Sequence, residues 1–149
     1  MADITIRALR KGDHADWSRM WTAYLEYYRT TLPENIYRTA FERLLSADAR
    51  EFQGLIAEME RRCVGLANFV FHRILWSEED TCYLMDLYTD PGARGLGVAR
   101  ALIEAVHGAS KAAGIPVTYW TTEENNYKGR MLYDKVATRT PFILYEKTD

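Results

Sequence analysis

The chain has 149 residues, 48% of them hydrophobic, which suits one domain with a core of its own. Its 19 Lys and Arg against 21 Asp and Glu leave a formal charge of -2, which gives no electrostatic case for nucleic acid as a partner. No apolar run reaches the ~18 to 20 residues of a membrane-crossing helix, and the start Met1-Ala2-Asp3-Ile4 has no secretion-signal pattern, so a cytoplasmic location without membrane contact is expected.

Taken in order, Ile4, Ile6 and Ala8 alternate with Thr5, Arg7 and Leu9 and predict a short first strand. Asp13, with Asp16 three residues on, reads as the cap of a helix. Along that helix Trp17, Met20, Trp21, Tyr24 and Tyr28 fall on one face. A core-facing stripe is the plain reading, but aromatics with polar tips also suit a substrate mouth. Leu32-Pro33-Glu34 opens a second helix whose Ile36, Ala40, Phe41, Leu44 and Leu45 face inward. Gln53 to Glu60 and Cys63 to Leu75 predict two strands joined by a tight turn, the second covered on both faces.

His72 near the end of that strand has a structural reading and a substrate-side one. Glu78, Glu79 and Asp80 are a solvated connection unless they overhang a site, where they would draw in an amine. Cys63 and Cys82 sit in strand-like runs without metal-ligand spacing, so reduced core thiols and no metal are expected.

Thr81 to Thr89 predicts the next strand, and the turn after it carries the chemistry. Asp90-Pro91-Gly92 turns the chain, and Arg94-Gly95-Leu96-Gly97-Val98-Ala99 leads into a helix with Ala99, Leu102, Ile103 and Val106 as its buried stripe. Such a glycine turn leaves backbone N–H groups unpaired at the positive end of a helix, an arrangement that binds phosphate. A triphosphate-binding loop would need Lys and Ser or Thr after Gly97, where Val98 and Ala99 stand. A dinucleotide fingerprint would need glycine at Arg100. Gly114 and Pro116 end the helix. Val117 to Thr121, Asn126 to Val136 and Phe142 to Tyr145 then predict a strand, a short helix and a last strand. The order β-α-α-β-β-β-α-β-α-β is a mixed α/β sheet, read as one domain over residues 1–149.

Arg94-x-x-Gly97-x-Ala99 resembles the R/Q-x-x-G-x-G/A motif of the GCN5-related N-acetyltransferase (GNAT) superfamily, and Asn126-x-x-Gly129-x-x-x-Tyr133-Asp134-Lys135 resembles its N-x-x-A-x-x-x-Y-E-K segment. The element order agrees over essentially the whole chain. Cys82-Tyr83-Leu84-x-Asp86-Leu87 and Thr140-Pro141-Phe142-Ile143 are similar to the HPA2-like branch. The resemblance implies the GNAT acyl-CoA fold and direct transfer of acetyl from acetyl-CoA, the cosubstrate, to a primary amine of a small molecule such as a polyamine or amino acid. Acetylation of basic protein tails and a non-catalytic acyl-CoA-binding module stand as alternatives.

The same resemblance implies the site. Leu87, Tyr88 and Thr89 would pair with the pantetheine arm as an added strand, if β-strand edges there diverge. Arg94, Gly95, Leu96, Gly97, Val98 and Ala99 would wrap the pyrophosphate, and Asn126 would bond the arm. Lys128, Arg130 and Lys135 are solvated helix charges or assist at phosphates. Tyr133 would protonate the departing thiolate. Relatives often carry glutamate just before Asp86, where this chain has Met85, and regular alternation turns Asp86 to the other face unless a bulge resets it. A water relayed by Asp86, His72, Tyr24 or Glu123 then stands as the base, or the site captures the minority of amine that is already neutral, with Tyr24, Tyr28, His72 and Glu123 on the acceptor side. Cys82 as a covalent acyl carrier is a further option. Exposed sheet edges and the Phe142 to Tyr145 strand suggest a homodimer.

Overall fold

The computed structural model describes residues 3–149. Five strands, β1 (Ile4–Ala8), β2 (Gln53–Met59), β3 (Arg62–His72), β4 (Thr81–Thr89) and β5 (Thr118–Tyr119), lie side by side in that order. The first three junctions are antiparallel and the β4–β5 junction is parallel. The β2–β3 turn is tight, with Glu60 and Arg61 at φ 52° and 64°, the paired positive values that fit a two-residue hairpin.

Helices α1 (His14–Tyr27) and α2 (Glu34–Leu44) cover one face of the sheet, and α3 (Val98–Ala112) and α4 (Tyr127–Val136) cover the other. Period 3.6 on the helices and period two on the strands bring their apolar rows together. Val98, Leu102, Ile103 and Val106 of α3 pack on Ala57, Ala67, Phe69, Cys82 and Leu84. Trp17, Met20, Trp21 and Leu25 of α1, with Phe41 and Leu44 of α2, pack on Ile56, Leu66 and Tyr88. Burying one large apolar side chain of this kind contributes about 1.5–3 kcal/mol. Gly65 lets α3 approach: a Cβ there would lie 2.9 Å from both the Tyr88 carbonyl and Val98 Cγ1.

Several local expectations are corrected. Asp13 stands at the cap position of α1 without capping it. Its carboxylate instead takes two bonds from the Arg7 guanidinium at 2.8 Å and one from the Arg10 N–H, and Arg7 also binds Glu58. These bonds hold the Asp13 carboxyl below its usual range. Asp16 is exposed and meets Arg19. Pro33 is the cap of α2 rather than its first residue, and Ile36 and Leu45 face outward. The strand from Val117 shortens to Thr118–Tyr119, and the last strand does not form: residues 142–145 lie outside the sheet.

Candidate active site

β4 is regular against β3 except at one point. Asn68 faces Asp86 and Phe69 faces Leu84, so Met85 is an extra residue, a β-bulge. The bulge has two effects. Residues beyond it change face, so Asp86 and Tyr88 turn to the α1–α2 side while Leu87 joins the α3 side. It also coincides with the parting of β4 from β5, whose pairing ends at Tyr83–Tyr119. From Leu84 to Thr89 one backbone edge of β4 has no strand beside it among the described residues, as the expected divergence requires.

An open groove of about 710 Å³ runs along that edge. Leu87, Tyr88, Thr89, Arg94, Gly95, Gly97, Val98 and Ala99 line one end, and Asn126 and Tyr133 the α4 side. Gly95 and Gly97 sit at φ 78° and 93°, the left-handed region in which glycine is favoured. The first helical bond of α3 runs from Ala101 N–H to Gly97 O at 3.0 Å, so the N–H groups of Val98, Ala99 and Arg100 have no helical acceptor. Leu96 is exposed and does not line the groove. Arg94 Nε donates to Thr89 O at 3.0 Å.

Four cations line this groove, Arg94, Arg100, Lys128 and Lys135, and no carboxylate of the described residues does. In a chain of net charge -2 that is a local reversal of sign, suited to a polyanion. Thr89 Oγ1 is buried at the groove wall without a hydrogen-bond partner among the described residues. Unpaired N–H groups, four cations and an unpartnered hydroxyl fit the phosphates and amide-bearing arm of a CoA molecule.

A narrow pocket adjoins the groove, walled by Tyr24, Tyr28, Leu84, Met85, Leu87, Trp120, Thr121, Thr122 and Tyr133. The α1 stripe is therefore divided along its length: Trp17, Met20 and Trp21 are core, and Tyr24 and Tyr28 reach the pocket. Behind it lies a buried polar network. Asp86, 7% exposed, accepts on Oδ2 from Asn68 Nδ2 at 2.9 Å and from Trp21 Nε1 at 3.2 Å. Trp17 Nε1 donates to Asn68 Oδ1 at 3.4 Å. Burial raises the Asp86 carboxyl above its usual range, against the hydrogen bonds from Asn68 and Trp21 and the nearby Tyr24 hydroxyl, which draw it down. Burial, and then the Asp86 charge, push the Tyr24 phenol up in turn. The Tyr24 hydroxyl also lies 3.4 Å from the Met85 carbonyl.

Tyr133 lines both groove and pocket, and Trp120 meets its ring edge-on at 5.6 Å between centroids. Burial raises the pKa of its phenol, which keeps the proton in place at neutral pH. Asn126 caps α4, its Oδ1 accepting from Gly129 N–H at 3.3 Å while its Nδ2 donates to Thr122 Oγ1 at 2.9 Å. Its amide therefore positions the groove wall as well as lining it.

Other expected residues lie elsewhere. His72 is at the far end of β3, bonded through Nε2 to the Tyr119 hydroxyl at 2.7 Å, and lines neither cavity. Glu123 is exposed and also off both linings; after burial and the neighbouring Tyr27, its charge helps raise the Tyr28 phenol. Cys82 is fully buried in the core, away from the groove, and burial raises its thiol. Sequence patterns do not single out Asn68 or Arg100 as site residues, and they offer Trp21 for a substrate mouth rather than as the partner of Asp86. Arg100 follows the glycine turn directly and is readable there, whereas nothing in the sequence ties Asn68 to Asp86.

Comparison with known proteins agrees with this geometry. The acetyltransferase (GNAT) family model matches residues 17–137. The D-amino-acid N-acetyltransferase HPA3 of Saccharomyces cerevisiae is 31% identical over 145 residues, 97% of this chain and 90% of that protein. Among solved structures, the aminoglycoside N-acetyltransferase AAC(6')-Iy in complex with CoA superposes with a TM-score of 0.85 at 18% identity, over 99% of this chain and 96% of that one. The ribosomal-protein-alanine N-acetyltransferase of Brucella melitensis biovar Abortus superposes at 0.81 and 17% identity, over 99% of both chains. At such identities the two structures speak for the fold.

Proposed function

The chain belongs to the acetyltransferase (GNAT) family, and we propose on that basis that its acceptor is the primary amine of a small molecule. It is an acetyl-CoA-dependent N-acetyltransferase. The observation that carries the acceptor reading is the pocket at the parting of β4 and β5. It is narrow, walled largely by aromatic rings and threonines, and lined by no carboxylate of the described residues. A Lys-rich protein tail would be better served by a row of carboxylates along an open surface. The similarity to a D-amino-acid N-acetyltransferase makes amino acids, the D-enantiomers first, the acceptors to try.

When bound, acetyl-CoA supplies the acetyl thioester. Gly95, Gly97, Val98, Ala99 and the groove cations would hold its pyrophosphate, and the free edge of Leu87 to Thr89 its pantetheine arm. The acceptor arrives as an ammonium and must lose a proton before it has a lone pair to use. Asp86 takes that proton through the Tyr24 hydroxyl, for which a raised carboxyl pKa is the right adjustment. Met85 supplies no base of its own; it supplies the bulge that brings Asp86 to this side. Tyr133 gives its phenolic proton to the departing sulfur and is reprotonated by the proton shed from nitrogen as the amide forms.

The test is thiol release from acetyl-CoA over D- and L-amino acids, polyamines and Lys-rich peptides. We expect kcat/KM to be highest on a free small amine. Turnover confined to the peptides would overturn the acceptor reading. Tight acetyl-CoA binding with no turnover on any amine would instead favour a binding module.

A further inference from the structure

One ion pair beside the glycine turn lies outside both the groove and the pocket. Asp90 opens the turn at φ -54° and ψ 141°, the extended backbone that a residue before proline adopts. Its N–H donates to Val64 O at 2.8 Å, and its carbonyl accepts from the Ala93 N–H at 2.9 Å. A carboxylate at such a position ordinarily caps the turn that follows. Here it caps nothing. Both its oxygens accept instead from Arg19 Nη1 of α1, at 3.1 and 3.2 Å, while Arg19 Nη2 donates to Cys63 O at 3.0 Å. The guanidinium thus ties α1 to the start of β3 and to the first residue of the turn.

That placement has an electrostatic consequence. Asp90 directly follows Thr89, which lines the groove, and stands four residues before Arg94. A bare carboxylate there would repel the pyrophosphate that the unpaired N–H groups and the groove cations attract. Arg19 cancels the charge from behind the turn, because it belongs to the helix on the other face of the sheet and lines neither cavity. Asp16, 3.7 Å from Arg19 Nη2, is the second anion beside it. The Asp90 side chain is 20% exposed against 53% for Asp16, so water and salt screen it less and its neutralisation matters more. The same helix carries Trp21 to Asp86 and Tyr24 to Met85 O. Arg19, Trp21 and Tyr24 therefore meet Asp90, Asp86 and Met85 in antiparallel order, which fixes α1 along the part of β4 whose edge is free.

We propose that Arg19 is a positioning residue for the donor: by neutralising Asp90 it lets a carboxylate hold the start of the turn without repelling the phosphates of acetyl-CoA beyond it. Arg19 acts in this way on the reading of the groove as the acetyl-CoA site. The dissociation constant of acetyl-CoA, measured by titration calorimetry at low and high salt, tests the role and needs no acceptor. Relative to the intact chain at the same salt, Arg19→Gln should bind more weakly by roughly threefold to tenfold at low salt. The gap should close to less than about twofold at about 0.5 M salt, where the freed charge is screened. Asp90→Asn added to Arg19→Gln removes that charge and should return the constant to within about twofold of the intact chain. Asp90→Asn alone, whose amide oxygen still accepts from Arg19, should bind at least as tightly as the intact chain; it also covers the case in which Arg19→Gln does not fold. A loss in Arg19→Gln that salt does not reduce, or that Asp90→Asn does not repair, marks a mechanical brace of the turn and overturns the proposal. So does unchanged binding by Arg19→Gln, or weaker binding by Asp90→Asn alone. An intact chain that does not bind acetyl-CoA overturns the reading of the groove and the role of Arg19 with it.

Discussion

Asp86 sits against the Trp21 indole and the Asn68 carboxamide, and its carboxyl is raised by burial. The native protein therefore holds more protons than the unfolded chain between the ordinary carboxylate value and the raised one, so stability falls as pH climbs through that window. Asp86→Asn removes this penalty while its amide oxygen still accepts from Trp21 and Asn68. Its melting temperature at neutral pH should match or exceed that of the unmodified protein, with kcat down by roughly tenfold or more. The acidic limb of the pH–rate profile should vanish with the carboxylate. A variant that melts early yet turns over normally would exclude Asp86 as the base. Tyr133→Phe keeps the ring against Trp120 and removes the proton. We expect kcat to fall by roughly tenfold to a hundredfold with KM for acetyl-CoA changed by less than about twofold; unchanged turnover would remove the acid role.

At the scale of elements, the Met85 bulge is the feature on which the site depends. It sends Asp86 to the acceptor side at the point where β4 leaves β5. Deleting Met85 keeps Asn68 opposite Asp86 and Phe69 opposite Leu84, so the ladder closes without moving a side chain to the wrong face. The deletion should stay folded by circular dichroism. Its acetyl-CoA affinity should drop by about tenfold or more, because a straight β4 no longer parts from its neighbour. Affinity equal to that of the intact chain would show that the helices alone hold the strands apart.

For the molecule as a whole, charge is distributed unevenly: 21 acidic residues against 19 basic ones, with Arg94, Arg100, Lys128 and Lys135 gathered on one groove. The groove is open to solvent, so salt screens these cations. KM for acetyl-CoA should rise with ionic strength. Arg100→Glu with Lys135→Glu should raise it by roughly threefold to thirtyfold and blunt that salt dependence, leaving kcat at saturation nearly unchanged. A KM indifferent to both would move the phosphates elsewhere.

The order of elements, the glycine turn from Arg94 to Ala99 and the Asn126–Tyr133 segment were determined by the chain itself, because turn chemistry, helix termini and apolar periodicity are local properties. Those local properties pointed to a phosphate-bearing ligand, while acetyl-CoA and Tyr133 as the candidate acid were implied by the resemblance of the two segments to the GNAT motifs. The face Asp86 occupies was not legible, since one extra residue inverts the alternation and only pairing with β3 reveals it. Nor was the company Asp86 keeps: Trp21 and Asn68 are 65 and 18 residues away. His72 looked equally available along the chain, and the fold carries it to the far end of β3. The gathering of four cations from α3, α4 and the glycine turn, and the absence of a sixth strand from this sheet among the described residues, likewise depend on which surfaces meet, and that is decided in three dimensions.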